Sequence, residues 1–498
     1  MSGAHLSALQ VVIPLVAAVL CALVRSGRMA WLLTTAVCWS SFAIAVLLLQ
    51  QVLAGGPQSY AMGGWPAPWG IEYRVDSLNA FVLVFVTGVG AVVVSFARLV
   101  VENRIRLPAD KQSWFYTAYL LCLTGLLGMT ITGDAFNLFV FLEISSLSSY
   151  TLIAIGRDRR ALTAAYQYLI MGTIGATFIL IGIGYLYVMT GTLNMVDLAQ
   201  RLPAVEHTRT VRVAFAFLTV GLGLKLALFP LHLWLPNAYA YGPSVVTAFL
   251  AATATKVSIY ALLRFFFTIF GPAFSFQTMR LDEILLPLAL AGIVSASLVA
   301  IFQGNVKRML AYSSVAQIGY ILLGISLVSV TGLTAAIVHL FNHALMKGTL
   351  FLALGCVSYR VGAAKLERMA GLGRAMPWTM AAFTLGGLSL IGVPLTAGFI
   401  SKWYLVLGIL QNGWWPVAVL VLLTSLLALV YIWRVVEAAY FRPLPEGQAP
   451  PGEAPLSLLL PTWMLALANL YFGMDTSYSV GMARQAAALL LPGATPTD

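Results

Sequence analysis

Hydrophobic residues run in long stretches along almost the whole chain, separated by short segments that contain polar residues, proline or glycine. A bilayer core about 30 Å thick requires about 20 apolar residues per helix. By this criterion the pattern predicts an all-α membrane protein with about fourteen transmembrane helices, numbered below as spans one to fourteen. We expect a single polytopic membrane domain over residues 1–474 and a short C-terminal tail over 475–498.

Two predicted spans are longer than one crossing needs and contain a proline. Span seven has Pro230 in its middle, and span twelve contains Pro394. A proline inside a helix removes a backbone hydrogen bond, and the freed groups are tolerated at membrane depth only where protein or water satisfies them. Interrupted helices at corresponding places indicate a transporter with inverted repeats. The predicted repeats are spans four to eight and spans nine to thirteen, over about residues 113–270 and 283–440.

The composition agrees with membrane insertion, since 60% of the residues are hydrophobic and only 9% are charged. A soluble domain carries about 25% charged residues. The net charge of +11 comes from basic residues scattered among short loops, without the run of charges that indicates nucleic-acid binding. We therefore expect contact with the lipid bilayer and no nucleic-acid partner.

The basic residues are unequally divided between the loops. The odd-numbered loops contain Arg25, Arg28, Arg98, Arg104, Arg106, Lys111, Arg157, Arg159, Arg160, Lys307, Arg308, Arg360, Lys365, Arg368, Arg374 and Arg442. The even-numbered loops contain only Arg74, Arg201, Arg209, Arg212 and Arg280. Because cytoplasmic loops carry an excess of Lys and Arg, this asymmetry predicts cytoplasmic odd-numbered loops and both termini outside. The expected location is a prokaryotic cell membrane.

Several ionisable residues fall inside the predicted spans. They are Glu143, Lys225, Lys256, His339, His343, Lys347 and Lys402. A charge at the centre of a membrane helix costs at least about 2.5–3.5 kcal/mol, so these groups must be paired, hydrated or neutral. Such residues mark ion or proton pathways. The sequence therefore predicts a route for protons or cations through the bilayer.

Glu143 in span five and Lys225 in span seven have complementary charges. Lys225 lies five residues before Pro230, where unwound backbone and water can solvate it. An ammonium group beside a carboxylate is stabilised in its charged form and loses this stabilisation when the two separate. Opening and closing the pair would switch a proton donor, and a purely structural ion pair is the alternative.

His339, His343 and Lys347 recur every four residues in span eleven and therefore share one helix face. Histidine titrates near neutral pH and can relay protons. The histidine spacing also fits a pair of metal ligands, but no third ligand is apparent, so we expect no metal. Lys256 lies in mid-span, with a structural role as the alternative, and Lys307 is attributed to topology alone.

Three further positions have a structural explanation beside the functional one. Lys402 follows the Pro394 break, and the alternative is that its long side chain snorkels to the membrane surface. His232 lies just past Pro230 and serves as a relay or as a cap for freed carbonyls. Asp134 opens span five, where a helix N-cap is the competing explanation.

No cofactor is expected in this chain. Cys21, Cys38, Cys122 and Cys356 all lie in apolar stretches without a CxxC spacing, and the sequence contains no GxGxxG motif or P-loop. Any redox chemistry would belong to a partner, so we expect no catalytic redox centre here.

Five segments carry a family resemblance: GDAFNLFVFLEISSLSSY, GLGLKLALFPLHLWLPNAYAYGPS, GNVKRMLAYSSVAQIGY, HLFNHALMKGTLFLALG and GVPLTAGFISKWY. With them the chain resembles, over nearly its whole length, the antiporter-like membrane subunits shared by respiratory complex I, membrane-bound hydrogenases and Mrp-type cation/proton antiporters. The resemblance implies a fourteen-helix core of two inverted five-helix repeats, each with a broken helix. Within this family, span five looks most similar to the D subunit of Mrp antiporters and its hydrogenase-associated relatives.

The resemblance also implies roles for individual residues. Glu143 and Lys225 match the family's Glu/Lys pair, Lys256 its central lysine, Lys402 its terminal lysine, and His339 or His343 its histidine relay. In the family a hydrated polar axis through these residues links two half-channels, carries protons and is coupled to neighbouring membrane subunits.

The leading hypothesis is a proton-translocating subunit of a multi-subunit Mrp-type antiporter that exchanges protons for a monovalent cation such as sodium. The second is a proton-pumping membrane-arm subunit of an NADH:quinone oxidoreductase or a membrane-bound hydrogenase. An unrelated transporter for an organic solute and a purely structural subunit are the remaining alternatives.

Overall fold

The computed structural model describes residues 5–105, 107–444 and 450–492. Residues 1–4 of the predicted membrane domain, Arg106, residues 445–449 and residues 493–498 of the predicted tail lie outside the described residues. Nearly all of the described chain is helical, which confirms the predicted all-α class. A short antiparallel hairpin of β1 (Gln58–Ala61) and β2 (Glu72–Val75) lies in the second loop.

The helices follow one another along the chain with short connections. The first ten are α1 (Leu6–Leu23), α2 (Gly27–Gly55), α3 (Ser77–Arg104), α4 (Ser113–Ile131), α5 (Ala135–Ala154), α6 (Arg160–Thr190), α7 (Met195–Arg201), α8 (Arg209–Leu226), α9 (Trp234–Tyr241) and α10 (Ser244–Leu263). They are followed by α11 (Leu281–Ile301), α12 (Val306–Ser326), α13 (Val330–Val361), α14 (Leu372–Ala375), α15 (Pro377–Ile391), α16 (Ala397–Gln411), α17 (Trp415–Phe441), α18 (Leu456–Met474) and α19 (Ser477–Leu490).

Twelve helices within the described ranges are long and apolar enough to cross a membrane, namely α1 to α6, α10 to α13, α17 and α18. The two other predicted spans are the interrupted ones, which the structure divides into α8 and α9 and into α15 and α16. Helices α9, α15 and α16 are short, and α8 carries Arg209, Arg212 and Lys225. These features explain why fewer helices than predicted meet the length and hydropathy criterion.

The break predicted at Pro230 is confirmed, because α8 ends at Leu226 and α9 begins at Trp234. Ala227 ends α8 in the left-handed conformation, with φ 62°. The backbone N–H of Leu228 donates to the carbonyl of Gly223 at 2.9 Å, and the indole N–H of Trp234 donates to the carbonyl of Leu224 at 3.0 Å. Protein groups therefore satisfy carbonyls that the interrupted helix leaves free, as the hydrocarbon region requires.

The break predicted at Pro394 is also confirmed, because α15 ends at Ile391 and α16 begins at Ala397. Gly392 adopts a φ of 91° at the end of α15. Each predicted repeat thus contains one break, and the inverted relation between the repeats stays a prediction.

Gly398 at the start of α16 is where the second break is packed most tightly. A Cβ atom there would overlap the backbone carbonyl oxygen of Ser389, whereas a Cβ on Gly184 in α6 would meet nothing within 4 Å. We expect Gly398→Ala to destabilise the protein by about 1–3 kcal/mol, because the clash is with backbone. Gly184→Ala should be neutral or stabilising by up to about 1 kcal/mol. Unfolding temperatures of the purified variants test this, and equal values would contradict the described packing of the break.

Helix α13 lies at the centre of the bundle. It packs against α3, α10, α12, α15, α16, α18 and α19, and every residue from Val330 to Val357 is buried. Its polar side chains therefore face protein and not lipid, which is where intramembrane ionisable residues are tolerated.

The segment predicted as a short tail contains helix α19, which packs against α13 and α3. Small buried residues, including Ser479, Ala483 and Ala487, permit this close approach. These residues give the segment too little hydrophobicity to be recognised as a span, so the sequence pattern alone did not predict the helix.

Candidate functional site

The intramembrane ionisable residues predicted from the sequence are distributed over five helices. Glu143 lies on α5, Lys225 on α8, Lys256 on α10, His339, His343 and Lys347 on α13, and Lys402 on α16. All but Glu143 are buried. We call these seven residues the buried axis.

Glu143 and Lys225 form an ion pair between α5 and the last turn of α8. The Lys225 Nζ lies 3.4 Å from the Glu143 Oε1 and donates a hydrogen bond to the Ser146 hydroxyl at 2.8 Å. The Lys225 side chain is 3% exposed, whereas the Glu143 side chain is 26% exposed. The lysine thus has a second partner on α5, and the carboxylate is the more accessible member of the pair.

Lys256 is fully buried and has no acidic partner among the described residues. Its ammonium group donates to the Ala251 carbonyl of its own helix and lies 3.5 Å from the Thr255 hydroxyl. Helix α10 packs directly against α13. Lys256 lies within electrostatic range of His339 and His343. The middle of the axis is therefore a cluster of basic groups.

The three α13 residues line one face of the central helix, as their spacing predicts. The rings of His339 and His343 are stacked with centroids 6.0 Å apart. His339 Nδ1 lies 2.8 Å from the Ser401 hydroxyl, while neither ring nitrogen of His343 has a hydrogen-bond partner in the described part of the protein. Lys347 donates to the Ser313 hydroxyl at 2.5 Å and to the Leu310 carbonyl at 2.8 Å. Internal water molecules typically bind buried polar atoms that lack a protein hydrogen-bond partner, such as the ring nitrogens of His343.

Lys402 occupies the second helix break. Its Nζ donates to the carbonyls of Leu390 and Ile391 at 3.1 and 2.8 Å and to the Ser425 hydroxyl at 3.1 Å. The ammonium group also lies 5.1 Å from the centre of the Tyr320 ring. The alternative that Lys402 snorkels to the membrane surface is wrong, because the residue is only 7% exposed and binds carbonyls at the end of α15.

Among the described residues, no group of three or more His, Cys, Asp or Glu side chains is placed to hold a metal ion. The polar groups that converge on the axis are mainly ammonium donors, hydroxyls and imidazoles. This set can hold, pass on and release protons.

A family model described as "NADH:quinone oxidoreductase/Mrp antiporter, TM" matches residues 132–428, more than half of the 498-residue chain. The matched stretch contains the whole buried axis and both helix breaks. The chain belongs to this family.

Curated relatives of this antiporter-family chain carry two kinds of name. This chain is 46% identical over 442 residues to NADH-quinone oxidoreductase subunit N of Desulforudis audaxviator (strain MP104C), and the match covers 86% of this chain and 87% of the relative. The chain is 31% identical over 487 residues to the D subunit of the Na(+)/H(+) antiporter of Bacillus subtilis (strain 168), and the match covers 97% of this chain and 96% of the relative. Among solved structures, a chain of the Mrp complex from Dietzia sp. DQ12-45-1b matches with a TM-score of 0.90 at 27% identity, covering 99% of this chain and 98% of that one.

The two secondary positions, His232 and Asp134, have contacts outside the seven axis residues. The His232 ring stacks on Phe229 with centroids 5.3 Å apart and contacts Tyr312 edge-on at 6.3 Å. Asp134 accepts a hydrogen bond from the Asn137 backbone N–H at 2.7 Å and is the N-cap of α5. Burial raises the pKa of Asp134, and hydrogen bonds from backbone N–H groups partly oppose this.

The cap geometry of Asp134 gives a direct test of its role. Asn is as good an N-cap as Asp, so we expect Asp134→Asn to preserve both stability and proton flux. Asp134→Ala should cost about 1 kcal/mol of stability through the lost cap. Flux per assembled complex and unfolding temperature are the measurements. A loss of flux in the Asn variant would assign Asp134 to the pathway.

The structure corrects the interpretation of Lys307 as a basic residue that serves only membrane topology. Its side chain is buried, and its Nζ donates to the Gly242 carbonyl at 2.6 Å. It borders a cavity of about 220 Å³ that is also lined by Arg104 and Lys365. Because Lys307 directly precedes Arg308 at the start of α12, the sequence pattern did not distinguish it from an ordinary surface charge.

Sequence reasoning also missed the hydroxyl partners of the axis. Ser146, Ser313, Ser401 and Ser425 bind Lys225, Lys347, His339 and Lys402 respectively. Only Ser146 had a local signal, since it lies one helical turn after Glu143.

Proposed function

We propose that this chain is a proton-translocating subunit of a multi-subunit membrane complex and that protons travel along the buried axis. The observation that carries the proposal is the set of buried basic side chains at both helix breaks and on α10 and α13, two helices that pack against each other. Unpaired intramembrane charges are costly, and they mark pathways for ions and protons. Membership of the antiporter-like family supports the same conclusion.

The geometry suggests how protons enter and leave the two ends of the axis. At the first break, Glu143 stabilises the charged form of Lys225, and separating the two removes that stabilisation. Lys256 and the α13 histidines lie between the breaks, where unpartnered imidazole nitrogens can exchange protons with water. At the second break, carbonyls at the end of α15 hold Lys402, as the negative end of a helix dipole favours a cation.

We propose sodium/proton exchange in an Mrp-type antiporter as the process that drives this movement. The similarity to the Bacillus subtilis antiporter protein and to the Dietzia Mrp chain covers nearly the full length of this chain. The other membrane subunits of such a complex would be its partners. We also propose a prokaryotic cell membrane with the odd-numbered loops in the cytoplasm, from the distribution of Lys and Arg.

Redox-driven pumping is the second candidate, and the 46% identical relative named NADH-quinone oxidoreductase subunit N favours it. In that case electron transfer takes place in partner subunits, and the same axis moves the protons.

A vesicle experiment separates the two candidates. Everted vesicles would be prepared from a host that lacks other antiporters and expresses the complete operon. A pH-sensitive dye would report proton movement after addition of sodium or of NADH. Sodium-dependent flux that is lost in Lys225→Ala supports exchange. Flux that requires NADH and does not depend on sodium assigns the chain to a redox-driven pump. The absence of both sodium-dependent and NADH-dependent flux contradicts proton translocation.

A further inference from the structure

A second buried ion pair lies outside the axis. Asp76, the N-cap of α3, and Arg264, which begins a π-helical turn after α10, place Oδ1 and Nη2 2.6 Å apart. Both side chains are 6% exposed. Burial alone would raise the pKa of Asp76, but the charge of Arg264 and hydrogen bonds from its guanidinium and from backbone N–H groups lower it below its usual value. The pair is therefore ionised.

Tyr260 connects this ion pair to a third helix. Its hydroxyl accepts a hydrogen bond from the Arg264 Nε at 2.9 Å and donates to the Thr130 carbonyl in the last turn of α4 at 2.8 Å. Helices α3, α4 and α10 are thus joined at one point by Asp76, Arg264 and Tyr260.

The same point lies on the helix that carries Lys256. Lys256, Tyr260 and Arg264 are spaced four residues apart and share one face of the helix. Tyr260 is therefore about 6 Å from Lys256 along the helix axis.

The cluster borders a cavity of about 430 Å³. Asp76, Tyr260 and Arg264 line this outer cavity, together with Gly133, Met195 and further loop residues. These loops are even-numbered, and the distribution of Lys and Arg predicts that they face outside. The outer cavity thus ends at the ion pair, one helical turn beyond the Lys256 backbone, whereas the Lys256 ammonium donates to Ala251 on the side away from the cavity.

We propose that Asp76, Arg264 and Tyr260 form an outer gate that separates Lys256 from the outer cavity. An arginine cannot release its proton in a protein, so Arg264 cannot pass protons on. Its guanidinium instead stays bound to Asp76 and Tyr260, and this ion pair, which has no net charge, blocks the path between the outer cavity and Lys256. The gate is closed in this structure, and separating Arg264 from Asp76 and Tyr260 would connect Lys256 to the outside. The inference rests on the proposed role of Lys256 in proton transfer.

The test measures sodium-independent proton leak across proteoliposomes that contain the complete complex, under an imposed pH gradient. Arg264→Gln removes the fixed charge and should raise the leak roughly tenfold. Tyr260→Phe retains the ring and removes only the hydroxyl, so it should give a smaller rise and serves if Arg264→Gln fails to assemble. Arg201→Gln is the matched control, since the half-exposed Arg201 forms an ion pair with Asp197 in an even-numbered loop that is also predicted to face outside.

A double variant establishes the path of the leak. Adding Lys256→Ala to Arg264→Gln should return the leak to the level of the control if the protons pass Lys256. A leak in assembled Arg264→Gln and Tyr260→Phe complexes that equals the Arg201→Gln leak would overturn the gate, and so would a leak that persists in the double variant.

The same preparation separates failure of the gate from failure of the proposed function. Normal sodium-dependent exchange without any variant-induced leak refutes the gate alone. A leak that depends on Lys256, in a complex with neither sodium-dependent nor NADH-driven flux, supports the gate and refutes the proposed coupling.

Discussion

Lys225→Arg is expected to lower proton flux by at least about tenfold although it retains the positive charge beside Glu143. Arginine stays protonated in proteins, whereas lysine can exchange its proton. The substitution therefore preserves the ion pair and removes the proton donor. A purely structural ion pair predicts normal flux in the same variant. The measurement is dye-reported flux in vesicles, normalised to the amount of assembled complex.

Two further variants complete this test. Lys225→Ala removes both the charge and the proton, and it should lower the flux at least as much and also destabilise the protein, because the Glu143 carboxylate loses its partner. Lys111→Arg is the control, since Lys111 is exposed in a loop between α3 and α4. Normal flux in assembled Lys225→Arg and Lys225→Ala complexes would remove this pair from the mechanism.

Lys256→Met is expected to abolish flux without lowering stability. The Lys256 ammonium is fully buried, and its hydrogen-bond partners in the described ranges are a backbone carbonyl and a neighbouring hydroxyl, without an acid. Replacing buried charge with apolar volume is often neutral or stabilising by about 1–4 kcal/mol. Methionine has a similar length and flexibility. Flux and unfolding temperature of the same preparation check the two parts of the prediction.

The opposite result would identify Lys256 as a structural residue. In that case the methionine variant would unfold at a lower temperature and, once assembled, would retain its flux. Lys111→Met on the exposed loop is the control for replacing a lysine in general. The contrast with Lys225 is informative, because the two lysines share burial but differ in having an acidic partner.

The two histidines of α13 have different surroundings, which the sequence could not separate. His339 contacts Ser401 on α16 and its ring lies 6.0 Å from that of Tyr320, so it faces the Lys402 end of the axis. His343 is fully buried, has no protein hydrogen bond among the described residues, and lies within electrostatic range of Lys256 and Lys347. This arrangement suits a relay in two steps, with His343 nearer the central lysines and His339 nearer the second break.

The sequence by itself determined the features that depend on local chemistry. Long apolar runs predict the spans because each must cover the bilayer core. Pro230 and Pro394 predict both breaks because proline cannot donate the helical hydrogen bond. A spacing of four residues predicts that His339, His343 and Lys347 share a face of one helix.

Tertiary structure alone decided which groups meet across helices. Asp76 and Arg264 form an ion pair although they are 188 residues apart in the sequence, and Lys225 donates a hydrogen bond to Ser146, which is 79 residues away in the sequence. Lys402 binds carbonyls of α15, the buried Lys307 binds the Gly242 carbonyl, and α19 packs through small side chains. No local pattern encodes these contacts, because they depend on how the helices pack and on where broken helices leave carbonyls free.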